Sequence, residues 1–166
     1  MYKHTNKPII MPLSNPTANA EAKPADLLQW THGQALIATG SPFAPVTYQN
    51  KTYTIAQCNN AYIFPGIGLG SLISKAKFVS DGMLWAACEA LSECAPLSPS
   101  GQIESLLPPL TQCKAISKKI GMAVAQQAIK ENLSTHQSAS GQPLDLDYEF
   151  NQCFWEPKYH HIRLIK

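Results

Sequence analysis

The sequence is poor in arginine and in charge of either sign. Arg163, near the C-terminus, is the only arginine among 13 basic residues, and only 14% of the 166 residues are charged. A scattered net charge of +2 is too small for the electrostatic surface that binds nucleic acid or an anionic membrane. Because planar carboxylates are commonly clamped by a guanidinium group, the lone arginine also indicates that this chain lacks such a clamp.

The cysteines form no CxxC pair and have no histidine at metal-ligand spacing. They are Cys58, Cys88, Cys94, Cys113 and Cys153. An odd, unpatterned set predicts reduced thiols in a cytoplasmic protein rather than a disulfide framework or a zinc site. The apolar run after the basic N-terminus covers only residues 8–13, so we expect neither a signal peptide nor a membrane-spanning segment.

The first forty residues have the pattern of a strand, a helix and a second strand. A hydrophobic content of 45% in 166 residues is enough for one domain with a real core. Residues 8–13 and 35–40 are uninterrupted apolar runs, as in buried parallel strands. Residues 24–32 are predicted to be a helix, because proline suits the first helical position and Gly33 follows the end. This order predicts a parallel βαβ unit and an α/β fold.

Polar turn residues follow both predicted strands. Ser14 and Asn15 come after the first strand, and Gly40 and Ser41 end the second. Open α/β sheets place their ligands at the carboxyl ends of the strands. We therefore expect Asn15 and Ser41 to lie at a ligand-binding edge.

The rest of the chain is predicted to be a hairpin and several helices. The hairpin pairs residues 46–48 with 52–55. Helices are predicted over residues 69–76, over 81–94 after a Ser80 cap, and from 112 to about 133, where the spacing of apolar residues is helical. In the second helix Leu84, Ala87, Cys88 and Leu91 form the predicted buried face. We divide the chain into a domain over 1–94, a proline-rich linker over 95–111 and a C-terminal helix and tail over 112–166.

Two adjacent amides, Asn59 and Asn60, precede an apolar, strand-like run and a glycine-rich turn. An Asn side chain both donates and accepts, so the pair can hold a carboxylate, a hydroxyl or a carboxamide. Asn is also common in turns, and the residues alone leave both interpretations open. Gly66, Gly68 and Gly70 do not form the dinucleotide fingerprint, because its last glycine is replaced by Ser71. A tight turn and close helix packing are the interpretation we favour.

Three carboxylates alternate at Asp145, Asp147 and Glu149. In an extended chain they would share one face, which would suit a hard metal ion. We favour a solvated acidic edge, because no other ligand type accompanies them.

Three motifs together resemble the C-terminal part of malic enzymes, which are decarboxylating malate dehydrogenases that use a nicotinamide cofactor. They are Leu13-Ser14-Asn15-Pro16-Thr17, Ala38-Thr39-Gly40-Ser41-Pro42-Phe43 and the run from Gln57 to Gly70. They follow the family's order, and the likeness weakens towards the C-terminus. The resemblance implies the latter part of a Rossmann-like NAD-binding domain over residues 1–94, followed by C-terminal helices.

The resemblance also implies roles for three asparagines. Asn15 is expected to bind both cofactor and substrate, Asn59 the substrate and Asn60 the cofactor. The framework around them is Ser14, Gly40, Ser41 and Gly66. The implied ligands are malate or pyruvate and NAD, with NADP as the alternative because the position that contacts the ribose is not among the matched residues. A homo-oligomer is the implied assembly of the full-length enzyme.

The family's catalytic groups have no equivalents in this sequence. In malic enzymes a Tyr and a Lys act as acid and base, an Arg clamps the substrate, and a Glu-Asp-Asp set binds magnesium or manganese. We therefore predict no catalytic residue and no metal ligand here, and expect a C-terminal fragment whose missing residues lie before Met1. Oxidative decarboxylation of (S)-malate to pyruvate and CO2 is implied for the full-length protein only. The alternatives are a non-catalytic module that associates with full-length subunits, and nucleotide binding without chemistry.

Overall fold

The computed structural model describes residues 2–135, 144–155 and 159. Strands and helices are numbered separately, each in chain order. The strands are β1 (Ile9–Ile10), β2 (Leu36–Thr39), β3 (Val46–Tyr48), β4 (Lys51–Tyr53) and β5 (Ala56–Gln57). The helices are α1 (Pro24–Trp30), α2 (Phe64–Ser74), α3 (Asp81–Ser92), α4 (Cys113–Lys130) and α5 (Leu146–Cys153). Short 3-10 turns cover Thr17–Asn19, Asn60–Tyr62 and Leu110–Gln112.

A three-stranded parallel sheet in the order β1-β2-β5 forms the N-terminal layer. Ile9 is paired with Leu36, and Ala38 with Ala56. Helix α1 connects β1 to β2, begins with Pro24 and ends before Gly33, whose φ is +74°. The predicted parallel βαβ unit and the α/β class are confirmed. Only two residues of the first apolar run are in the strand.

The small core of this layer lies between α1, the sheet and the hairpin. Its buried members are Leu27, Leu28, Ala35, Ile37 and Ile55. Strands β3 and β4 form the predicted hairpin, with Gln49 and Asn50 both at positive φ in the two-residue turn. Positive φ at both positions matches the right-handed twist of the strands. The second strand of the hairpin was predicted over 52–55 but ends at Tyr53. The chain leaves the hairpin there and enters the parallel sheet at Ala56.

Helices α2, α3 and α4 build a second, larger core. Its buried residues are Tyr62, Met83, Ala87, Ala90, Ile116, Ile120, Val124 and Ala128. The Ser80 hydroxyl accepts a hydrogen bond from the Met83 N–H at 3.1 Å, which confirms the predicted cap. The predicted α3 face is wrong at Leu84 and Cys88, which are exposed. The buried side runs through Met83, Ala87 and Ala90, because α4 covers that face.

The glycine-rich run is helical, so the predicted strand-like run and turn are wrong. Helix α2 begins at Phe64 and contains all three glycines, whereas a helix was predicted only from Leu69. Pro65 favours the first turn. Close packing explains two of the glycines: a Cβ at Gly66 would lie 2.5 Å from the Ile120 Cβ, and one at Gly70 would lie 2.6 Å from the Gly121 carbonyl oxygen. That part of the prediction is confirmed.

The acidic segment of the tail is a helix, which the sequence did not predict. The Asp145 carboxylate accepts from the Tyr148 N–H at 3.0 Å, and Asp147 and Glu149 lie in the first turn of α5. Helical geometry places alternate residues on different faces, so the shared face that an extended chain would have given does not form. Acidic residues favour a helix N-terminus because of the helix dipole.

The segment over residues 95–111 is irregular apart from its last turn, and it packs on the larger core. Pro108 is buried, and its carbonyl accepts the hydroxyl hydrogen of Tyr62. The division of the chain at this segment stays a prediction. Within the described ranges, no helix is long and apolar enough to cross a membrane.

Candidate functional site

The carboxyl ends of the three parallel strands meet at one edge of the sheet. Asn15 follows β1, Ser41 follows β2 and Asn59 follows β5. Neighbouring strands lie about 4.8 Å apart, so the outer two leave the sheet roughly 10 Å from each other. The structure thus places Asn15, Asn59 and Ser41 at the edge where open α/β sheets bind ligands.

Asn15 is held by a buried hydroxyl. The Ser41 Oγ donates to the Asn15 Oδ1 at 2.5 Å, and Ser41 is buried whereas Asn15 is exposed. The Asn15–Pro16 peptide bond is cis. With its oxygen occupied, the Asn15 side chain presents its NH2 group as a donor at the edge.

Close backbone contact between the segments that follow β1 and β2 makes the Asn15–Ser41 bond possible. The Gly40 N–H donates to the Pro12 carbonyl at 3.0 Å. A Cβ at Gly40 would lie 2.7 Å from the Leu13 carbonyl carbon and still closer to its oxygen, so only glycine fits. Thr39, the last residue of β2, is buried, and its hydroxyl donates to the Ser41 carbonyl at 2.8 Å. Gly40 therefore acts as the predicted framework residue, and Thr39 is a supporting residue that the sequence did not reveal.

Asn59, at the other end of the edge, has its side-chain amide oriented as in Asn15, with the oxygen bonded within the protein. Its Oδ1 accepts from the Ala61 N–H at 2.8 Å and caps the 3-10 turn that leads into α2. A backbone N–H can only donate, so the Asn59 NH2 group is left as the donor. Asn60 is exposed beside it, in the first position of the turn. Asn59 therefore serves as a turn residue and offers a donor at the same time.

Glu21 anchors the β1 end of the edge, and no sequence motif indicated it. Its carboxylate accepts from the Ser14 hydroxyl at 2.7 Å and from the Ser14 N–H at 3.3 Å. A hydrogen bond from its own backbone N–H, followed by those from Ser14, lowers the pKa of Glu21 below its usual value of 4.5. The two residues are seven apart and a turn separates them, so no local sequence pattern indicates the contact.

The Glu21 contact predicts a specific acid sensitivity. Because the folded pKa is lowered, the stabilisation is present above pH 4.5 and is lost as the pH falls through the folded value. We expect wild type to melt at a slightly higher temperature than Glu21→Gln at pH 6 and the difference to vanish well below pH 4.5. Melting curves between pH 6 and pH 3 test this. A difference that does not change with pH would contradict it.

Cys58 lies between β5 and Asn59 but has no sign of reactivity. Burial raises the pKa of its thiol. A neutral thiol is neither a good nucleophile nor a metal ligand. The described part of the chain also contains no group of three His, Cys, Asp or Glu residues arranged to hold a metal ion. The groups that the edge does present are the hydrogen-bonding side chains of Asn15, Ser41 and Asn59.

Comparisons with known proteins agree with this geometry. The family described as "Malic enzyme, NAD binding domain" matches residues 1–129. The NAD-dependent malic enzymes of Pectobacterium atrosepticum and Aliivibrio salmonicida are each 50% identical to the chain over 163 residues. These matches cover 98% of this chain and 28% of each relative, so the chain spans less than a third of their length.

A solved structure shares the fold. The crystal structure of malic enzyme from Pyrococcus horikoshii matches 87% of this chain and 28% of its own, with a TM-score of 0.61 and 23% identity. At that identity the likeness concerns the fold alone. Together with the family match over residues 1–129, the βαβ sheet and its polar carboxyl edge show that this chain belongs to the malic enzyme family, within its NAD-binding domain.

Proposed function

We propose that the edge formed by Asn15, Ser41 and Asn59 binds malate and the nicotinamide end of NAD as part of a malic enzyme. The observation that carries the proposal is that the side-chain amides of Asn15 and Asn59 have the same hydrogen-bonding arrangement. Each has its side-chain oxygen occupied within the protein and its NH2 group available. Two fixed donors suit the carboxylate oxygens of malate and the carboxamide oxygen of nicotinamide.

The three asparagines are assigned different contacts. Asn15 donates to ligand oxygens of both substrate and cofactor, Asn59 to a malate carboxylate, and Asn60 to the cofactor. Buried Ser41 and Thr39 keep Asn15 in place, which lowers the cost of ordering it when a ligand binds. When NAD is bound, it supplies the hydride acceptor for oxidation at C2 of malate, and NADP is the alternative cofactor.

Decarboxylation to pyruvate and CO2 needs groups that the described residues do not offer. The described residues do not fit magnesium or manganese, because no three of their His, Cys, Asp or Glu side chains are grouped to hold an ion. We therefore assign the metal, the acid and the base to the part of a malic enzyme outside the matched stretch. The isolated 166-residue chain is expected to form no NADH from malate. A cytoplasmic location and a homo-oligomeric parent enzyme belong to the same proposal.

A chimera tests the proposed contacts. In it, this chain replaces the matching segment of the Pectobacterium atrosepticum enzyme, and malate-dependent reduction of NAD is measured with magnesium present. Hydrogen bonds to charged groups contribute about 1.5–3 kcal/mol, so we expect Asn59→Ala to raise KM for malate about tenfold or more. Asn15→Ala should raise KM for both ligands, and Asn60→Ala should raise KM for NAD alone.

Asn6→Ala is the matched control, since it removes an exposed amide that precedes β1, whereas the edge follows the carboxyl ends of the strands. It should leave both KM values unchanged. If Asn15→Ala and Asn59→Ala behaved like Asn6→Ala in an active chimera, the asparagines would not contact the ligands. NADH formation by the isolated chain would overturn the assignment of the acid, the base and the metal to other segments.

A non-catalytic module that associates with malic enzyme subunits is the second candidate. The exposure of β1 favours it: within the described residues β1 pairs only with β2, and Ile9 is 52% exposed, with Met11 and Leu13 also exposed beyond it. Parallel strands are normally buried on both sides. Co-sedimentation of the chain with the intact Pectobacterium atrosepticum enzyme would support this function, and a chain that stays monomeric in the mixture would exclude it.

A further inference from the structure

Gly68 has no packing role among the residues that the structure describes. It lies in the middle of α2, where glycine costs about 1 kcal/mol relative to alanine. A Cβ at this position would meet no atom within 4 Å. Gly66 and Gly70, by contrast, are required by the contact of α2 with α4. Nothing in the described part of the chain therefore explains a glycine at position 68.

The two residues one helical turn to either side of Gly68 are large, apolar and exposed. Phe64 is 62% exposed and Leu72 is 68% exposed. Residues four apart lie on one face of a helix, and eight residues rise about 12 Å. The three residues Phe64, Gly68 and Leu72 thus form an apolar notch on the outer face of α2, about wide enough for one inserted side chain.

The composition of α2 indicates that this outer face is normally covered. The helix has no charged residue. Its two serines turn back onto their own helix: Ser71 donates to the Ile67 carbonyl at 2.8 Å, and Ser74 donates to the Gly70 carbonyl at 2.7 Å. A helix that is apolar on all sides is typical of a protein interior. Among the described residues, α4 is the main neighbour of α2, and α3 and α5 also contact it, but Phe64 and Leu72 stay exposed.

We propose that the notch binds an apolar side chain from a segment of a malic enzyme polypeptide outside the stretch that this chain matches. This occupant follows from length, because the chain covers only 28% of its relatives, and from position, because α2 starts directly after the Asn59-Asn60 pair. The inference rests on the proposal that the chain functions as part of a malic enzyme. The inserted side chain joins α2, and hence the asparagine edge, to the rest of the enzyme.

Gly68→Leu tests the notch because it should have opposite effects on folding and on association. In the isolated chain it adds a good helix former in open space, so the melting temperature should rise by about 3 °C. The binding partner is the Pectobacterium atrosepticum malic enzyme without the matching segment, titrated with the labelled chain in the absence of malate and NAD. Filling the notch should weaken this binding at least tenfold.

Gln126→Leu is the matched control, because it adds the same side chain at an exposed position of α4. It should leave the binding unchanged, whereas Leu72→Ala should weaken it without lowering the melting temperature by more than a few degrees. Equal binding by Gly68→Leu and wild type would overturn the proposal. The proposal would also be overturned if the wild-type chain did not bind the partner. It would equally be overturned if the chain associated with itself and Gly68→Leu abolished that self-association. If the chain bound the partner through the notch but malate oxidation were not restored, the proposal about the notch would stand and the proposed function would be rejected.

Discussion

Gly40→Ala is expected to destabilise the chain by about 3 kcal/mol and to disorder the asparagine edge. The added methyl group would lie 2.7 Å from the Leu13 carbonyl carbon, and backbone cannot move aside as a side chain can. The clash forces β1 away from β2 and breaks the Gly40–Pro12 hydrogen bond, which is 3.0 Å long. Asn15, which follows β1, would then lose the Ser41 hydroxyl that holds its oxygen.

Thermal unfolding and ligand kinetics measure the two parts of this effect. For a chain of this size the melting temperature should fall by roughly 10 °C. In the chimera, KM for malate should rise as it does in Asn15→Ala. Gly68→Ala is the control, since it makes the same chemical change in open space and should raise the melting temperature of the isolated chain. A Gly40→Ala chain as stable as wild type would show that β1 and β2 can separate at no cost.

The part of the fold predicted best from sequence is the part fixed by local signals. Pro24 and Gly33 mark the ends of α1, and Ser80 caps α3. The hairpin was also predicted, although its turn has two residues and not the expected three, because Lys51 belongs to β4. Two apolar runs separated by a helix can form a parallel pair in only one common way, so the βαβ unit was also predictable. The position of Asn15 and Ser41 at one edge followed from that topology without any measured contact.

The supporting contacts of the edge could not be predicted, because they depend on distances between separate segments. Glu21 reaches Ser14 only after the chain has turned through Thr17–Asn19. Thr39 has its role because β2 is the central strand, so its hydroxyl is buried and must find an acceptor. Periodicity shows which residues are apolar, and it does not show which polar side chains end up beside one another.

The prediction for the glycines after Asn60 was partly wrong because glycine occurs both in turns and where two helices pack closely. Gly66 and Gly70 suggested a turn, since glycine favours turns and weakens helices. In the structure they are positions where α2 packs so closely on α4 that a Cβ would clash with it. Tertiary packing therefore outweighs the helix propensity of the segment, and that packing partner begins at Cys113, far along the chain.

Gly70→Leu should lower the free energy of unfolding by at least about 4 kcal/mol. A Cβ at this position would lie 2.6 Å from both the Gly121 carbonyl oxygen and the Val124 Cβ. Both atoms belong to the buried face of α4, so α2 would have to separate from α4 and expose Ile120 and Val124 to water. Urea unfolding monitored by circular dichroism gives the change in unfolding free energy. Gly68→Leu, on the open side of the same helix, controls for helix propensity and for the size of the new side chain. A Gly70→Leu chain with the urea midpoint of Gly68→Leu would mean that α2 and α4 do not pack as closely as described, and the interpretation of the glycines as packing residues would fail with it.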